Sequence, residues 1–172
     1  MTKGTHSKLV YLDTSIFADK VLLSDAEDRK CAQLINRIAN KEFGNYKFIT
    51  SKFTLIELAE LISRKKTKNK AKIILFDMMD NPDLPIYFVN PEPVHETWGR
   101  HEYFDINFLI RNLINTALDY SIPGFDTIHA HAVRKLNEKI IAVSKDVHFN
   151  RFTKIKNVTE VVTASEFLGK YK

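Results

Sequence analysis

Four acidic residues stand where an α/β fold could bring their side chains together. Each follows a short apolar run or lies in the first turns of a predicted helix, and they are Asp13, Glu57, Asp126 and Asp146. Clustered carboxylates repel one another, so their pKa values rise unless a cation neutralises them. Oxygen ligands without a His or Cys set favour Mg²⁺ or Mn²⁺. These ions activate water and stabilise a leaving oxygen, so the set predicts phosphodiester hydrolysis.

Short apolar runs alternate with helical patterns along the whole chain. Strands are predicted at residues 9–12, 46–49, 86–89, 140–143 and 158–162. Helices are predicted at residues 16–21, 26–40, 53–63 and 105–120. Four further helices are predicted: one follows the basic run and ends near residue 79, one extends from residue 91 through Trp98, one begins at residue 126, and a last one ends at residue 168. This alternation is typical of a mostly parallel sheet covered on both faces. With 172 residues and no linker, we expect one domain over residues 1–172.

The predicted sheet explains why most of these acids should meet. In a parallel sheet with right-handed crossovers, strand C-termini and the following helix N-termini share one edge. Asp13 and Asp146 follow the first and fourth strands, and Glu57 begins the helix after the second. Asp126 starts a helix with no strand just before it, so the sheet alone does not determine its position.

Four motifs resemble those of PIN-domain nucleases, in the family's order and over nearly the whole chain. They are residues 10–15 (VYLDTS), 50–57 (TSKFTLIE), 125–130 (FDTIHA) and 143–149 (VSKDVHF). The resemblance implies a three-layer α/β/α fold with strand order 3-2-1-4-5. It implies Mg²⁺- or Mn²⁺-dependent cleavage of single-stranded RNA, with Asp126 reaching the pocket. Many members are VapC-type toxins, which commonly form homodimers and are held inactive by a partner antitoxin.

Details around the motifs refine this expectation. Thr14, in the first motif, is a supporting residue of the site. Ser144, two residues before Asp146, could orient that acid or a metal-bound water, or be an ordinary strand-end hydroxyl. Family members often carry a second Asp shortly after the fourth acid, where this chain has His148. That difference leaves open whether a second metal position exists.

Each acid also has an ordinary structural explanation. Asp13 and Asp126 could be helix caps, and Asp146 could be a turn residue. Asp126 and His129, three residues apart on a helix, could in principle hold zinc, although nothing else supports zinc. His129 and His131 lie two apart and should point in different directions, which argues against a shared metal site.

The charge pattern leaves two further questions open. Glu57 shares a helical face with Glu60 and Arg64, so it could belong to a solvated, ion-paired stripe; only the resemblance selects Glu57 over Glu60. The basic run at residues 64–72 is either a solvated helix connection or a phosphate contact. The net charge of +5 and pI of about 9.2 suit a polyanion without demonstrating one.

Composition and apolar residues indicate the setting and partners. Cys31, the single cysteine, excludes an internal disulfide and a Cys-rich zinc module. Residues 1–8 carry no apolar signal, and no stretch reaches the roughly 18 apolar residues of a membrane span, so we expect a soluble cytoplasmic protein. Apolar residues in or beside helices predict a homodimer, and they are Leu22, Leu23, Trp98, Tyr103, Phe104 and Phe108.

The main rival function comes from another class. A PIN-like module could bind RNA or another protein without catalysing any reaction. The presence of all four acids argues against that alternative.

Overall fold

The computed structural model describes residues 8–22, 26–64, 66–81, 84–89, 97–98, 101–102, 106–122, 124 and 126–171. The main sheet contains β1 Lys8–Leu12, β2 Tyr46–Ser51, β3 Ile86–Val89, β4 Ile140–Val143 and β5 Val158–Val162. The helices are α1 Thr14–Leu22, α2 Ala26–Ala39, α3 Phe53–Ser63, α4 Lys68–Asp80, α5 Ile106–Tyr120, α6 Asp126–Arg134 and α7 Ala164–Lys170. A 3₁₀ segment, Val147–Lys154, follows β4.

The five strands form one sheet in the order β3-β2-β1-β4-β5, and every pairing in it is parallel. The central strand β1 pairs with β2 on one side and β4 on the other; Val10 lies beside Phe48 and Ile141. The predicted strand order and the three-layer α/β/α arrangement are therefore confirmed. The carboxyl ends of β1, β2 and β4 lie at the same edge of the sheet.

Strand β1 is buried on both faces, and its alternating side chains enter two cores. Val10 and Leu12 pack in a core that includes residues of α1, α2, α3, α4 and α7. Leu9 and Tyr11 enter the opposite core, which includes residues of α6 and of the 3₁₀ segment. Because only apolar side chains are stable on both faces, the continuous apolar run in β1 reflects its central place.

Two predictions about local structure are wrong. Trp98 lies in a two-residue strand, Thr97–Trp98, that pairs antiparallel with His101–Glu102, and not in a helix. The two prolines used to predict that helix restrict only the backbone near them, whereas Thr and Trp favour strands. The apolar residues of the helix predicted at 105–120 indicate Leu109 and Leu118 as buried positions; Leu109 is 4% exposed, whereas Leu118 is 75% exposed. Nine residues of α-helix make about 2.5 turns, so these two side chains lie on opposite faces.

Two element boundaries also differ from the expected ones. Strand β2 continues through Ser51, two residues beyond the predicted end at residue 49. The hydroxyl of Ser51 still accepts the backbone N–H of Phe53 at 3.2 Å as α3 begins. Helix α4 begins inside the basic run, and Thr67 caps it by accepting the backbone N–H of Lys70.

The side chains predicted to form a dimer interface lie outside the described part of the structure; they are those of Leu22, Leu23, Trp98, Tyr103, Phe104 and Phe108. Lys65 of the basic run also lies outside it. Cys31 is fully buried in the first core. Within the described ranges, no helix has the length and apolar character needed to cross a membrane.

Candidate active site

Backbone hydrogen bonds place Asp13 at the carboxyl edge of the sheet. Its N–H donates to the carbonyl of Val143 at 3.0 Å, which continues the β1–β4 pairing one residue beyond β1. One strand further, the N–H of Ser144 donates to the carbonyl of Val162 at 3.1 Å. The parallel ladder therefore holds Asp13 and the segment leading to Asp146 side by side.

Asp13 is buried, with 6% of its surface exposed, and one of its oxygens has several donors. Oδ2 accepts hydrogen bonds from the hydroxyl of Ser15 at 2.6 Å and the hydroxyl of Ser144 at 2.8 Å. It also accepts the backbone N–H of Ser15 at 3.3 Å, which is a capping bond for α1. Asp13 thus serves as the helix cap considered from the sequence and also faces the other acids. Among the described residues, these bonds all reach Oδ2, which leaves Oδ1 for a ligand.

Glu57 lies on the inner side of α3, where Thr14 and His129 both contact its Oε2. Thr14 donates from its hydroxyl, and Nε2 of His129 lies 2.8 Å away. Burial raises the pKa of Glu57, but hydrogen bonds from His129 and Thr14 and the charge of His129 outweigh it, so the pKa is below its usual value. Glu57 therefore stays ionised in this environment.

Glu60 occupies a different environment one turn along α3. It pairs with Arg64, and both side chains are about two-thirds exposed, at 64% and 67%. The side chain of Glu57 is only 25% exposed. Glu57 therefore faces the candidate site, and Glu60 forms the solvated ion pair that the helical pattern allowed.

Asp126 is the first residue of α6 and is partly buried. Its pKa is raised, first by burial and then by the negative charges of Asp13 and Asp146, with a smaller contribution from Glu57; His129 acts in the opposite direction. Asp126 therefore lies close enough to the other three acids to sense their charge. The packing of α6 determines the position of Asp126, which the sheet alone left open.

Asp146 lies at the exposed rim of this group. Its Oδ1 accepts the backbone N–H of His148 at 2.8 Å, which caps the 3₁₀ segment. Its own N–H donates to the hydroxyl of Ser144 at 2.9 Å. The turn role considered from the sequence is thus present, and Ser144 links the backbone of Asp146 to the side chain of Asp13.

The sequence interpretation did not identify His129 and Tyr11 as residues of this site. His129 is 1% exposed, and its Nδ1 lies 2.6 Å from the hydroxyl of Tyr11. Burial lowers the pKa of His129, but its hydrogen bond to Glu57 and the charges of Asp13, Glu57 and Asp126 raise it overall. The acids therefore have a basic neighbour in the buried imidazole of His129. The available signal was the three-residue spacing from Asp126, which places both side chains on one helical face.

A second buried histidine, His131, belongs to a different environment. Its Nδ1 lies 3.2 Å from the hydroxyl of Thr116 on α5. His129 and His131 thus contact different residues, in agreement with their two-residue spacing.

Buried hydroxyls behind Thr14 were also missed. Thr50 donates to the carbonyl of Leu12 at 2.7 Å and contacts the hydroxyl of Thr54 at 2.8 Å. The hydroxyl of Thr54 lies 3.4 Å from that of Thr14. This series connects the ends of β1 and β2 to the residue that holds Glu57, so Thr14 has little freedom to turn away.

The donor set agrees in chemistry with a hard divalent cation. Its carboxylate and hydroxyl oxygens are the ligands that Mg²⁺ and Mn²⁺ accept. Within the described ranges, no three His, Cys, Asp or Glu side chains are already gathered as metal ligands. Mg²⁺ commonly keeps several waters and takes only one or two carboxylates together with substrate phosphates, so a preformed protein cage is not required. Zinc held by Asp126 and His129 finds no support, because both ring nitrogens of His129 already have partners.

Comparisons with known proteins add information at the level of the fold. No family model matches the sequence, and no curated protein matches it. The fold is similar to the crystal structure of VapBC2 from Rickettsia felis bound to a DNA fragment from their promoter, with a TM-score of 0.55 and 15% sequence identity. The match covers 90% of this chain and 98% of that chain. At this identity the likeness concerns the fold alone, which is PIN-like.

Proposed function

We propose that this protein is an endoribonuclease that requires Mg²⁺ or Mn²⁺ and cleaves phosphodiester bonds in single-stranded RNA. The observation that carries the proposal is the arrangement at the carboxyl edge of the sheet, where Ser144 joins Asp13 to the backbone of Asp146. Asp126 lies close enough for burial and the charges of Asp13, Asp146 and Glu57 to raise its pKa. Four carboxylates therefore share one electrostatic environment at the carboxyl edge of a PIN-like sheet. Such a group is stabilised by a cation, and a cation beside a phosphodiester supports hydrolysis.

Different residues of the chain have different roles in binding this cation. In the described structure Asp13 and Glu57 each have one oxygen engaged by local donors, so Oδ1 and Oε1 are the atoms we assign to the cation. Asp126 contributes a further carboxylate, and Asp146 lies at the rim where substrate enters. Thr14 and Ser144 act as supporting residues by restricting Glu57 and Asp13. When bound, Mg²⁺ or Mn²⁺ supplies an activated water and stabilises the leaving oxygen.

The substrate assignment rests on charge and chemistry. A net charge of +5 favours association with a polyanion, although the candidate site itself is acidic. The lysines at positions 66, 68, 70 and 72 are exposed, so their ammonium groups are available for phosphates. We therefore assign phosphate contacts to basic residues outside the acidic group.

We also propose that the protein acts as the toxin of a toxin–antitoxin pair and forms a homodimer. The VapC-type motifs in the sequence and the likeness to the VapBC2 fold support the first part. An apolar stripe on α5 supports the second, because Ile110, Ile114 and Leu118 lie four residues apart and are 46%, 52% and 75% exposed. Exposed apolar stripes of this kind are commonly covered by a partner.

A cleavage assay on single-stranded RNA tests the enzymatic proposal. Wild-type protein with Mn²⁺ should cleave, and either EDTA or Asp13→Asn should remove the activity while the protein stays folded. Asp80→Asn, the same change at an exposed residue at the end of α4, is the matched control and should cleave normally. RNA binding by pure wild-type protein without any cleavage would favour the rival, a non-catalytic PIN-like module.

A further inference from the structure

We infer that His129 is a positioning residue for Glu57: held by Tyr11 from behind, it engages Oε2 of the carboxylate and leaves Oε1 for the cation. This inference rests on the proposed function for its consequence, although the contact itself is independent of it. Neither the four motifs nor the zinc alternative gave His129 a role beside Glu57.

The geometry joins three separate elements through one side chain. His129 extends from α6, and its Nε2 lies 2.8 Å from Oε2 of Glu57 on α3. Its Nδ1 lies 2.6 Å from the hydroxyl of Tyr11 on β1. Both His129 and Tyr11 are buried, at 1% and 0% exposure, so water does not compete for either bond. An imidazole with both nitrogens engaged has one orientation available to it.

Hydrogen-bond chemistry sets the direction of each bond. A carboxylate only accepts hydrogen bonds, so Nε2 of His129 must carry the proton that it shares with Glu57. In the neutral ring, Nδ1 is then an acceptor, and the hydroxyl of Tyr11 is its donor. Tyr11 thus engages Nδ1 and leaves Nε2 as the nitrogen that donates to Glu57, in the neutral ring and equally in the protonated ring, where Nδ1 donates to the hydroxyl of Tyr11.

His129 has the properties of a residue that hydrogen-bonds a metal ligand without binding the metal itself. Such partners fix the orientation of the ligating group, and their loss typically lowers metal affinity or activity about 10- to 100-fold. The second donor on Oε2, Thr14, is supported by buried hydroxyls and contacts the same oxygen. With two donors on Oε2, rotation of the Glu57 carboxylate would break both bonds.

Two substitutions at His129 separate its two contacts. The amide nitrogen of Gln can occupy the place of Nε2, so His129→Gln retains a donor for Glu57. The shorter Asn side chain in His129→Asn can replace Nδ1 near Tyr11 but does not reach Glu57. His131→Asn removes another buried imidazole from the same helix and is the matched control, since His131 contacts Thr116 instead.

The readout is Mn²⁺ affinity of the full chain, measured by titration calorimetry without RNA. His129→Asn should weaken Mn²⁺ binding about tenfold or more. His129→Gln should restore most of that loss, and His131→Asn should bind as wild type does. Equal affinities for His129→Asn and His129→Gln, or an unchanged affinity in His129→Asn, would overturn the inference.

A second pair of variants serves if His129→Asn does not fold. Tyr11→Phe removes the hydrogen-bond partner of Nδ1 that holds the ring of His129 and should weaken Mn²⁺ binding, although by less than His129→Asn. Tyr171→Phe is its control, because the hydroxyl of Tyr171 also bonds another side chain, in this case the carboxylate of Glu160, at a different place. Identical Mn²⁺ affinities in these two variants would contradict the role of Tyr11 and His129.

A metal-free double-mutant cycle separates this inference from the proposed function. Urea unfolding of His129→Asn, Glu57→Ala and the double variant in EDTA should be non-additive, because the two side chains contact each other. Additive changes would mean that the His129–Glu57 bond is absent, whatever the protein's activity. A non-additive cycle in a protein that neither binds Mn²⁺ nor cleaves RNA would instead refute the proposed function and retain the contact.

Discussion

The hydroxyl of Ser144 lies 2.8 Å from Oδ2 of Asp13 and accepts the backbone N–H of Asp146 at 2.9 Å. One side chain thus joins two acids that follow neighbouring parallel strands, β1 and β4. The acids are 133 positions apart in sequence (146 − 13), yet a single hydroxyl restrains both. This bridge indicates that the spacing between the acids is built into the fold.

Removal of this bridge gives the first prediction. Ser144→Ala should lower RNA cleavage about tenfold, because the hydroxyl of Ser144 holds the carboxylate of Asp13, a proposed metal ligand, in its orientation. The buried carboxylate of Asp13 would lose a hydrogen bond, so the free energy of unfolding should fall by roughly 1–3 kcal/mol. Steady-state cleavage and urea unfolding measure the two effects. Ser63→Ala, at an exposed position of α3, is the control, and equal behaviour of the two variants would contradict the bridge.

The second prediction concerns repulsion within the acidic group. The pKa of Asp126 is raised, so the folded state disfavours its charged form. In EDTA, Asp126→Asn should therefore be as stable as wild type or more stable at neutral pH, by up to about 1 kcal/mol. The stability of wild type relative to this variant should be greatest below the ordinary pKa of Asp and fall as the pH rises through the raised pKa.

Thermal melts in EDTA across this pH range provide the measurement, and Asp80→Asn is the control for the substitution itself. Addition of Mn²⁺ should raise the melting temperature of wild type more than that of Asp126→Asn, because ligand binding to the folded state stabilises it. A strongly destabilised Asp126→Asn in EDTA would show that Asp126 is a structural residue.

The third prediction uses the two glutamates of α3. Glu57→Gln should reduce cleavage at least about tenfold, because it weakens a group next to the cation. Glu60→Gln removes only an exposed pair with Arg64, worth about 0.5 kcal/mol at most, and should leave cleavage unchanged. Parallel assays at one Mn²⁺ concentration compare the two. Equal losses in both variants would remove Glu57 from the site.

The fourth prediction addresses the basic run. RNA binding by inactive Asp13→Asn protein should weaken steeply with salt, since each phosphate contact contributes about −0.7 to the slope of log affinity against log salt. Replacement of Lys65, Lys66 and Lys68 by Gln should make that slope shallower. Fluorescence anisotropy at several salt concentrations measures it. An unchanged slope would assign the run to a solvated helix connection.

The fifth prediction concerns association through α5. Ile114→Glu and Leu118→Glu each place a charge in the exposed apolar stripe and should shift a dimer toward monomer. Light scattering at micromolar concentration provides the readout. Ile73→Glu, at an apolar position of α4 that is 59% exposed, is the control. A wild-type protein that is monomeric at all concentrations would refute the dimer.

The sequence by itself determined the features that depend on local pattern. Apolar runs alternating with helical segments predicted the parallel sheet, because a strand buried on both faces must be apolar throughout. Asp13 and Asp146 follow two of these runs directly, so the direction of each strand carries its acid to the shared edge. The motif resemblance supplied the strand order. The error at Leu118 arose because apolar character alone does not reveal which helical face is covered.

Only the tertiary structure decided which other side chains join the edge. Asp126 has no strand before it, and its place depends on how α6 packs against the sheet. Glu57 and Glu60 look alike in the sequence, and they differ because α3 turns Glu57 toward Thr14 and His129. His129 lies 72 positions from Glu57 and 118 from Tyr11, so its role has no local signature. Periodicity describes the faces of one element, whereas contacts between elements depend on packing that involves the whole chain.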